Sequence, residues 1–129
     1  KRKSYYEILE QTQKNDSNIT NWLIWFLDTL NDSLETTLKQ INRTLFKSQF
    51  WHKYSNLDLQ EGQRKVLNRL LDGGDNGFEH GISASQYQKV TKVSKATATR
   101  HLSDLLEKEC IIKLEGGGRN TRYQINTQL

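Results

Sequence analysis

Leucine or isoleucine stands at positions 23, 27, 30, 34, 38, 41 and 45, separated by gaps of 4, 3, 4, 4, 3 and 4. A mean spacing close to 3.6 is the period of an α-helix, so these side chains draw one nearly straight apolar stripe. The stripe predicts a helix opened by Ile19-Thr20, with the Thr20 hydroxyl accepting from a first-turn N–H, and continuing past Phe46 toward Trp51 or Tyr54. About 30 residues at ~1.5 Å each reach roughly 45 Å, more than a small domain needs. Trp22, Trp25 and Phe26 make the first turns apolar on more than one side. A helix wet on one face is not built this way, so Trp22, Trp25 and Phe26 are read as an interaction surface, covered by a missing domain or by a second copy of the chain. The competing reading packs the stripe on the rest of this chain.

Length limits the alternatives. The 129 residues can hold one ordinary domain, or one small domain with an extra helical segment, and leave no room for a large active-site enzyme. The formal charge of +4 is mild, so local clustering carries more information than the total. Cys110 is the one cysteine; it has no disulfide partner and no metal-ligand spacing around it, and it reads as a small packed residue. The most apolar run, Trp22 to Leu30, contains Asp28 and falls short of the ~20 residues of a membrane span. There is no secretory h-region at the start, so a reducing, cytoplasmic setting is expected. The chain begins Lys-Arg-Lys-Ser and holds no methionine, which reads as a piece of a longer protein.

Before the long helix, Tyr5, Ile8, Leu9 and Thr12 predict a short amphipathic helix from Ser4 to about Gln13, closed by the turn formers Lys14 to Asn18. After it, Leu57 to Glu61 opens a helix that buries Val66, Leu67, Leu70 and Leu71 and ends in the glycine-rich run Asp72 to Gly77. Phe78 to Ile82 suggests a short strand. Two helices around a tight turn follow, Ser83 to Thr91 and Ser94 to Lys108, with Ser94 as N-cap. Ile111 to Glu115 and the segment around Tyr123 and Ile125 then form two strands, with Ile112, Leu114, Tyr123 and Ile125 directed inward. The expected fold class is mainly α: a helical segment over 1–55 containing one long helix, then a winged helix-turn-helix over 56–129 with a small antiparallel β wing.

Between Glu79 and Asp104 there is no acidic residue, yet Lys89, Lys92, Lys95 and Arg100 lie in that window with His80 and His101. A surface of one sign attracts phosphate. With Ala98 at the centre of the buried face, Leu102, Leu105 and Leu106 fall beside it, and Ala96, Thr97, Thr99, Arg100 and Ser103 fall opposite, with Lys95 at the flank. Small and hydrogen-bonding residues in these first turns suit a recognition helix in a major groove. The tip Gly116-Gly117-Gly118-Arg119-Asn120, with Arg122 behind it, suits a phosphate or minor-groove contact. An ordinary hairpin with solvated arginines is the alternative.

The strings Val93 to Leu105 and Gly116 to Tyr123 closely resemble the winged-helix tail of many bacterial Fic-family proteins. Ser4-Tyr5-Tyr6 and Ile19 to Leu27 look like the last helices of the Fic fold in the same proteins, so the resemblance covers most of the chain. The Gly-Gly-Gly-Arg wing occurs in other winged-helix proteins as well; its pairing with the Trp-rich helix favours Fic. The resemblance implies a parent that moves AMP from ATP onto a hydroxyl of a target protein through a His-Pro-Phe-x-x-Gly-Asn-Gly-Arg loop. This chain has no proline, so the loop is absent, and the family's inhibitory-helix pattern is absent too. Catalytic residues, metal ligands and cofactors are therefore expected to be none here, with ATP belonging only to the absent catalytic domain. Cys110 stands where the family usually has glycine; with a positive φ it would cost about 1 to 2 kcal/mol.

Double-stranded DNA is the expected partner, with phosphate contacts from Lys89, Lys92, Lys95, Arg119 and Arg122 and base-edge contacts from Thr97, Thr99 and Arg100, beside Ser103 and Asn120. A protein-interaction or autoregulatory arm that positions targets for the Fic domain is the competing reading. Independent enzyme activity has no support, because His52, His80 and His101 are scattered and no acid, base and nucleophile converge. A homodimer would bury the Trp22, Trp25 and Phe26 surface and match two half-sites on DNA.

Overall fold

The computed structural model describes residues 2–14, 19–74 and 77–129, apart from the side chains of residues 12–14 and 119. Of the expected turn over Lys14 to Asn18, Lys14 still belongs to the first helix and the rest lies outside the described residues, as do the Thr12 side chain and Asp75-Asn76. The elements are α1 (Arg2–Lys14), α2 (Thr20–Lys53), α3 (Glu61–Asp72), α4 (Ala84–Thr91), α5 (Lys95–Glu107), β1 (Ile111–Lys113) and β2 (Tyr123–Ile125). The chain is mainly helical with one long helix and a small antiparallel sheet, the fold class the spacing predicts. No helix among the described residues is long and apolar enough to cross a membrane.

Contacts divide the chain into Lys1–Asn42 and Arg43–Leu129, a division that falls inside α2. In the first unit, Trp25 Nε1 donates to Ser4 Oγ at 3.1 Å, and the Tyr5 ring lies 5.4 Å from that of Trp25. Trp22 stacks on Phe26 at 5.4 Å. Along the leucine stripe, Leu23, Leu27, Leu30, Leu34, Leu38, Ile41 and Leu45 are all between 41 and 59 % exposed.

The second unit holds the core. Phe50 and Tyr54, at the end of the expected first segment, are buried with Val66, Leu67, Leu71, Tyr87, Leu102, Leu105 and Ile125. Trp51 Nε1 donates to Asn68 Oδ1 at 3.0 Å and Tyr54 Oη to the Glu109 carbonyl at 2.8 Å, so the last turns of α2 are fixed to α3 and to the end of α5. Helix α4 begins with a reciprocal cap, in which Ser83 Oγ accepts from Gln86 N and Gln86 Oε1 accepts from Ser83 N.

Three expectations need correction. Phe78 to Ile82 is not a strand: Phe78 has φ 54, Gly81 N bonds back to the Phe78 carbonyl, and only Ile82 pairs, with Tyr123. Gly81 has φ 84, and a Cβ there would meet the Tyr123 carbonyl at 2.8 Å, which the close approach forbids. In β1 the phase is shifted by one. Register pairs Ile111 with Ile125, so Ile111 is buried while Ile112 is 43 % exposed. Finally, the positive φ after α5 belongs to Glu109, at 57°, and not to Cys110.

Candidate nucleic-acid interface

Ser94 starts the helix that carries the candidate site. Its hydroxyl oxygen accepts from Thr97 N at 3.2 Å, satisfying one of the four unpaired first-turn donors. The preceding turn passes through Lys92 in the left-handed region, φ 60 and ψ 31, and its backbone N–H closes α4 on the Gln88 carbonyl. Helix α5 then turns Ala98, Leu102 and Leu105 into the core and leaves Lys95, Ala96, Thr99, Arg100 and Ser103 exposed. Lys89 and Lys92 are exposed just before it. Among the described residues, none is within ion-pair or hydrogen-bonding reach of the side chains of Lys89, Lys92, Lys95 or Arg100. The structure places these cations and the small outer residues of α5 in one unit.

Hydrogen bonding alters the roles of several candidates. Thr99 Oγ1 donates to the Lys95 carbonyl at 3.0 Å, so its hydroxyl proton is committed to the helix and an incoming base edge would meet its lone pairs and methyl group. Thr97 is half-buried and its hydroxyl lies 2.9 Å from that of Ser94, which ties it to the cap. Arg122 spends Nη1 on the Gly81 carbonyl at 3.0 Å and on Gln86 Oε1 at 3.3 Å, joining the base of the wing to the start of α4. Its remaining guanidinium N–H groups stay available on an exposed residue. Asn120 is exposed in a short 3-10 turn over Gly118–Asn120, which gives the tip more shape than its glycines suggest. The Arg119 side chain lies outside the described residues.

Glu107 is also exposed, and at 100° per residue it falls on the same side of α5 as Arg100, two turns farther on. The surface that suits phosphate thus ends near Ser103. Arg100 also borders a cleft lined by Asp58, Gln63, His101, Asp104 and Lys108, in which two carboxylates stand against two cations.

That cleft holds a polar network that spacing alone does not disclose. Gln63 is only 1 % exposed; its Nε2 donates to Asp104 Oδ2 at 2.8 Å and to the His101 carbonyl at 3.2 Å, while its Oε1 accepts from Gln60 N at 2.8 Å. Lys108 Nζ lies 2.8 Å from Asp104 Oδ2 and donates to the Asp58 carbonyl. Hydrogen bonds from Lys108 and then Gln63 hold the Asp104 carboxyl below its ordinary value. The Tyr87 hydroxyl sits 2.9 Å from His101 Nδ1, and burial pushes that phenol well above its ordinary range. Desolvation, then the neighbouring Arg100, lowers the pKa of His101. The network fixes α3, α4 and α5 against one another and so holds the rotation at which α5 presents Arg100. Gln63 falls on the same face of α3 as Val66, Leu67 and Leu70, a signal in the sequence that the apolar periodicity alone passes over.

No group of three His, Cys, Asp or Glu side chains among the described residues could hold a metal ion. No family model matches the chain, and no curated protein matches it.

Proposed function

We propose that Arg43–Leu129 binds double-stranded DNA, with the first turns of α5 in the major groove and the wing against the flanking backbone. One observation carries this reading: Lys89, Lys92, Lys95 and Arg100 are exposed together, without acidic partners, around a helix face built of alanine, serine and threonine. Arg100 is the side chain able to fork onto a guanine edge, while the lysines act on phosphate. The resemblance of Val93 to Leu105 and Gly116 to Tyr123 to the tails of Fic-family proteins supports reading it as a regulatory module attached to a cytoplasmic AMP transferase, with no chemistry of its own.

The test is a salt titration. Anisotropy of a labelled mixed-sequence duplex should give a log–log slope of about −4, as expected for four or five neutralised phosphates. Binding that does not weaken with salt would refute the electrostatic basis of the reading.

A second reading, a protein-interaction arm, draws on a different observation: Glu107 shares the outer face of α5, and the Thr97, Thr99 and Arg122 polar groups are partly committed within the fold. Capture of a partner that survives nuclease treatment would favour it, since nuclease removes only a DNA-bridged partner.

A further inference from the structure

The gaps along α2, 4, 3, 4, 4, 3 and 4, read the same in both directions about Leu34. Leu27 and Ile41 are equidistant from it, as are Leu30 and Leu38, and the spacing carries on to Leu23 and Leu45. We propose that this face of α2 pairs with the same face of a second copy of the chain, antiparallel, with Leu34 on the two-fold axis. An isologous interface must be self-complementary, with residue i opposite j and j opposite i. In the antiparallel register every leucine of one copy meets a leucine or isoleucine of the other. Packing on an unrelated surface imposes no such symmetry.

Three further observations favour a second copy. The stripe is open, since Leu27, Leu30, Leu34, Leu38 and Ile41 are each at least 47 % exposed. From position 23 to 45 the stripe advances at roughly 3.67 residues per turn, the 11-residue repeat of a helix pair with a slight right-handed supercoil. Half-exposed side chains in this number offer on the order of 600 Å² per copy, or roughly 1,200 Å² across the pair, the lower bound for a stable interface.

By helical rotation the stripe is bordered by Asn31, Ser33, Glu35, Thr37 and Asn42, with the Glu35 carboxylate accepting from Asn31 Nδ2 at 3.5 Å, whereas Asp28, Asp32 and Lys39 lie about 120° or more away. The Thr37 hydroxyl already donates to the Ser33 carbonyl at 2.8 Å, so burying its methyl group strands no donor.

Cysteine placement tests both the partner and the direction. Cys110 is buried and its thiol is pushed up to about 11, so the unaltered chain serves as the unreactive control. With a short bis-maleimide, Leu34→Cys should cross-link to itself in high yield. Leu23→Cys alone should not, because in the antiparallel pair its counterpart lies about 33 Å away along the helix. Mixing Leu23→Cys with Leu45→Cys should restore the cross-link. Sedimentation of the unaltered chain should give twice the monomer mass at micromolar concentration, and Leu34→Lys should halve it. Self-cross-linking of Leu23→Cys would mean a parallel pair and would overturn the proposal. So would a monomer at 100 μM, which would leave the face to a different protein, and so would a Leu34→Lys chain that stays dimeric. The cross-linking pattern decides the matter even if Leu34→Lys loses helix.

Discussion

Arg100 and Lys92 separate two kinds of contact that a binding constant alone would merge. Arg100 projects from the second turn of α5 with a planar fork suited to one base edge, so Arg100→Ala should cost about 1 to 3 kcal/mol and relax sequence preference at one position. Lys92 is a point charge at the turn, so Lys92→Ala should weaken all duplexes about equally and reduce the salt slope by about 1. Competition binding with a randomised duplex pool checks both; equal loss of preference in the two variants would contradict the assignment. Glu109 shows a different residue-scale effect. Its φ of 57 places it at the left-handed position of a Schellman motif, with Cys110 N bonded to the Leu105 carbonyl and Glu109 N to the Leu106 carbonyl. Glu109→Gly should relieve about 1 kcal/mol of steric strain, partly offset by the freer unfolded chain, and raise the urea midpoint without changing its slope. Cys110→Gly should lower it, because Cys110 is buried beside Leu105. The sequence points to strain at this helix exit but misplaces it by one residue, since helix length is set by caps and hydrogen bonds that periodicity does not resolve.

At the scale of elements, α4 and α5 are joined where the Tyr87 hydroxyl meets His101 Nδ1 at 2.9 Å. A phenol that stays protonated donates best to the bare Nδ1 of neutral imidazole. His101 titrates below its ordinary 6.5 because burial and Arg100 oppose its charge, with Asp104 acting weakly the other way. The unfolded chain therefore takes up this proton first, and stability falls as pH drops below 6.5. Asp104, held below 3.8 by Lys108 and Gln63, adds a second loss in the same direction as pH falls further. The melting temperature should thus be lower at pH 5 than at pH 7, and His101→Asn, which keeps an acceptor near Tyr87, should shrink the difference. A pH dependence unchanged in that variant would remove His101 as its source. Helices α4 and α5 were legible because the Ser83 and Ser94 caps coincide with apolar periodicity, and α3 because Val66, Leu67, Leu70 and Leu71 keep one face. The pairing of Ile82 was not, because its partner Tyr123 lies far along the chain and the intervening turn hides it. The phase of β1 was lost for a related reason: register with Ile125 sets it, not local alternation.

Across the whole chain, burial is divided unequally. Every buried residue among those described belongs to Arg43–Leu129, whereas the helices of Lys1–Asn42 are joined by aromatic contacts around Trp25 and leave their leucines open. Helices without a buried apolar face are marginal in water, and cooperativity requires a shared core. The two units should therefore unfold separately. Far-UV circular dichroism should show an early loss of helix from the first unit, followed by a sharper transition. Fluorescence can assign them, because Trp22 and Trp25 report on the first unit and Trp51, bonded to Asn68, on the second. In Trp51→Phe the fluorescence should follow the early transition alone. If α2 is held by a second copy, that transition should move up by about 5 °C for each tenfold rise in protein concentration, while the later one stays fixed. A single coincident transition that ignores concentration would count against both the separate units and the self-pairing. A concentration-independent early step would preserve the division but remove the second copy from the leucine face.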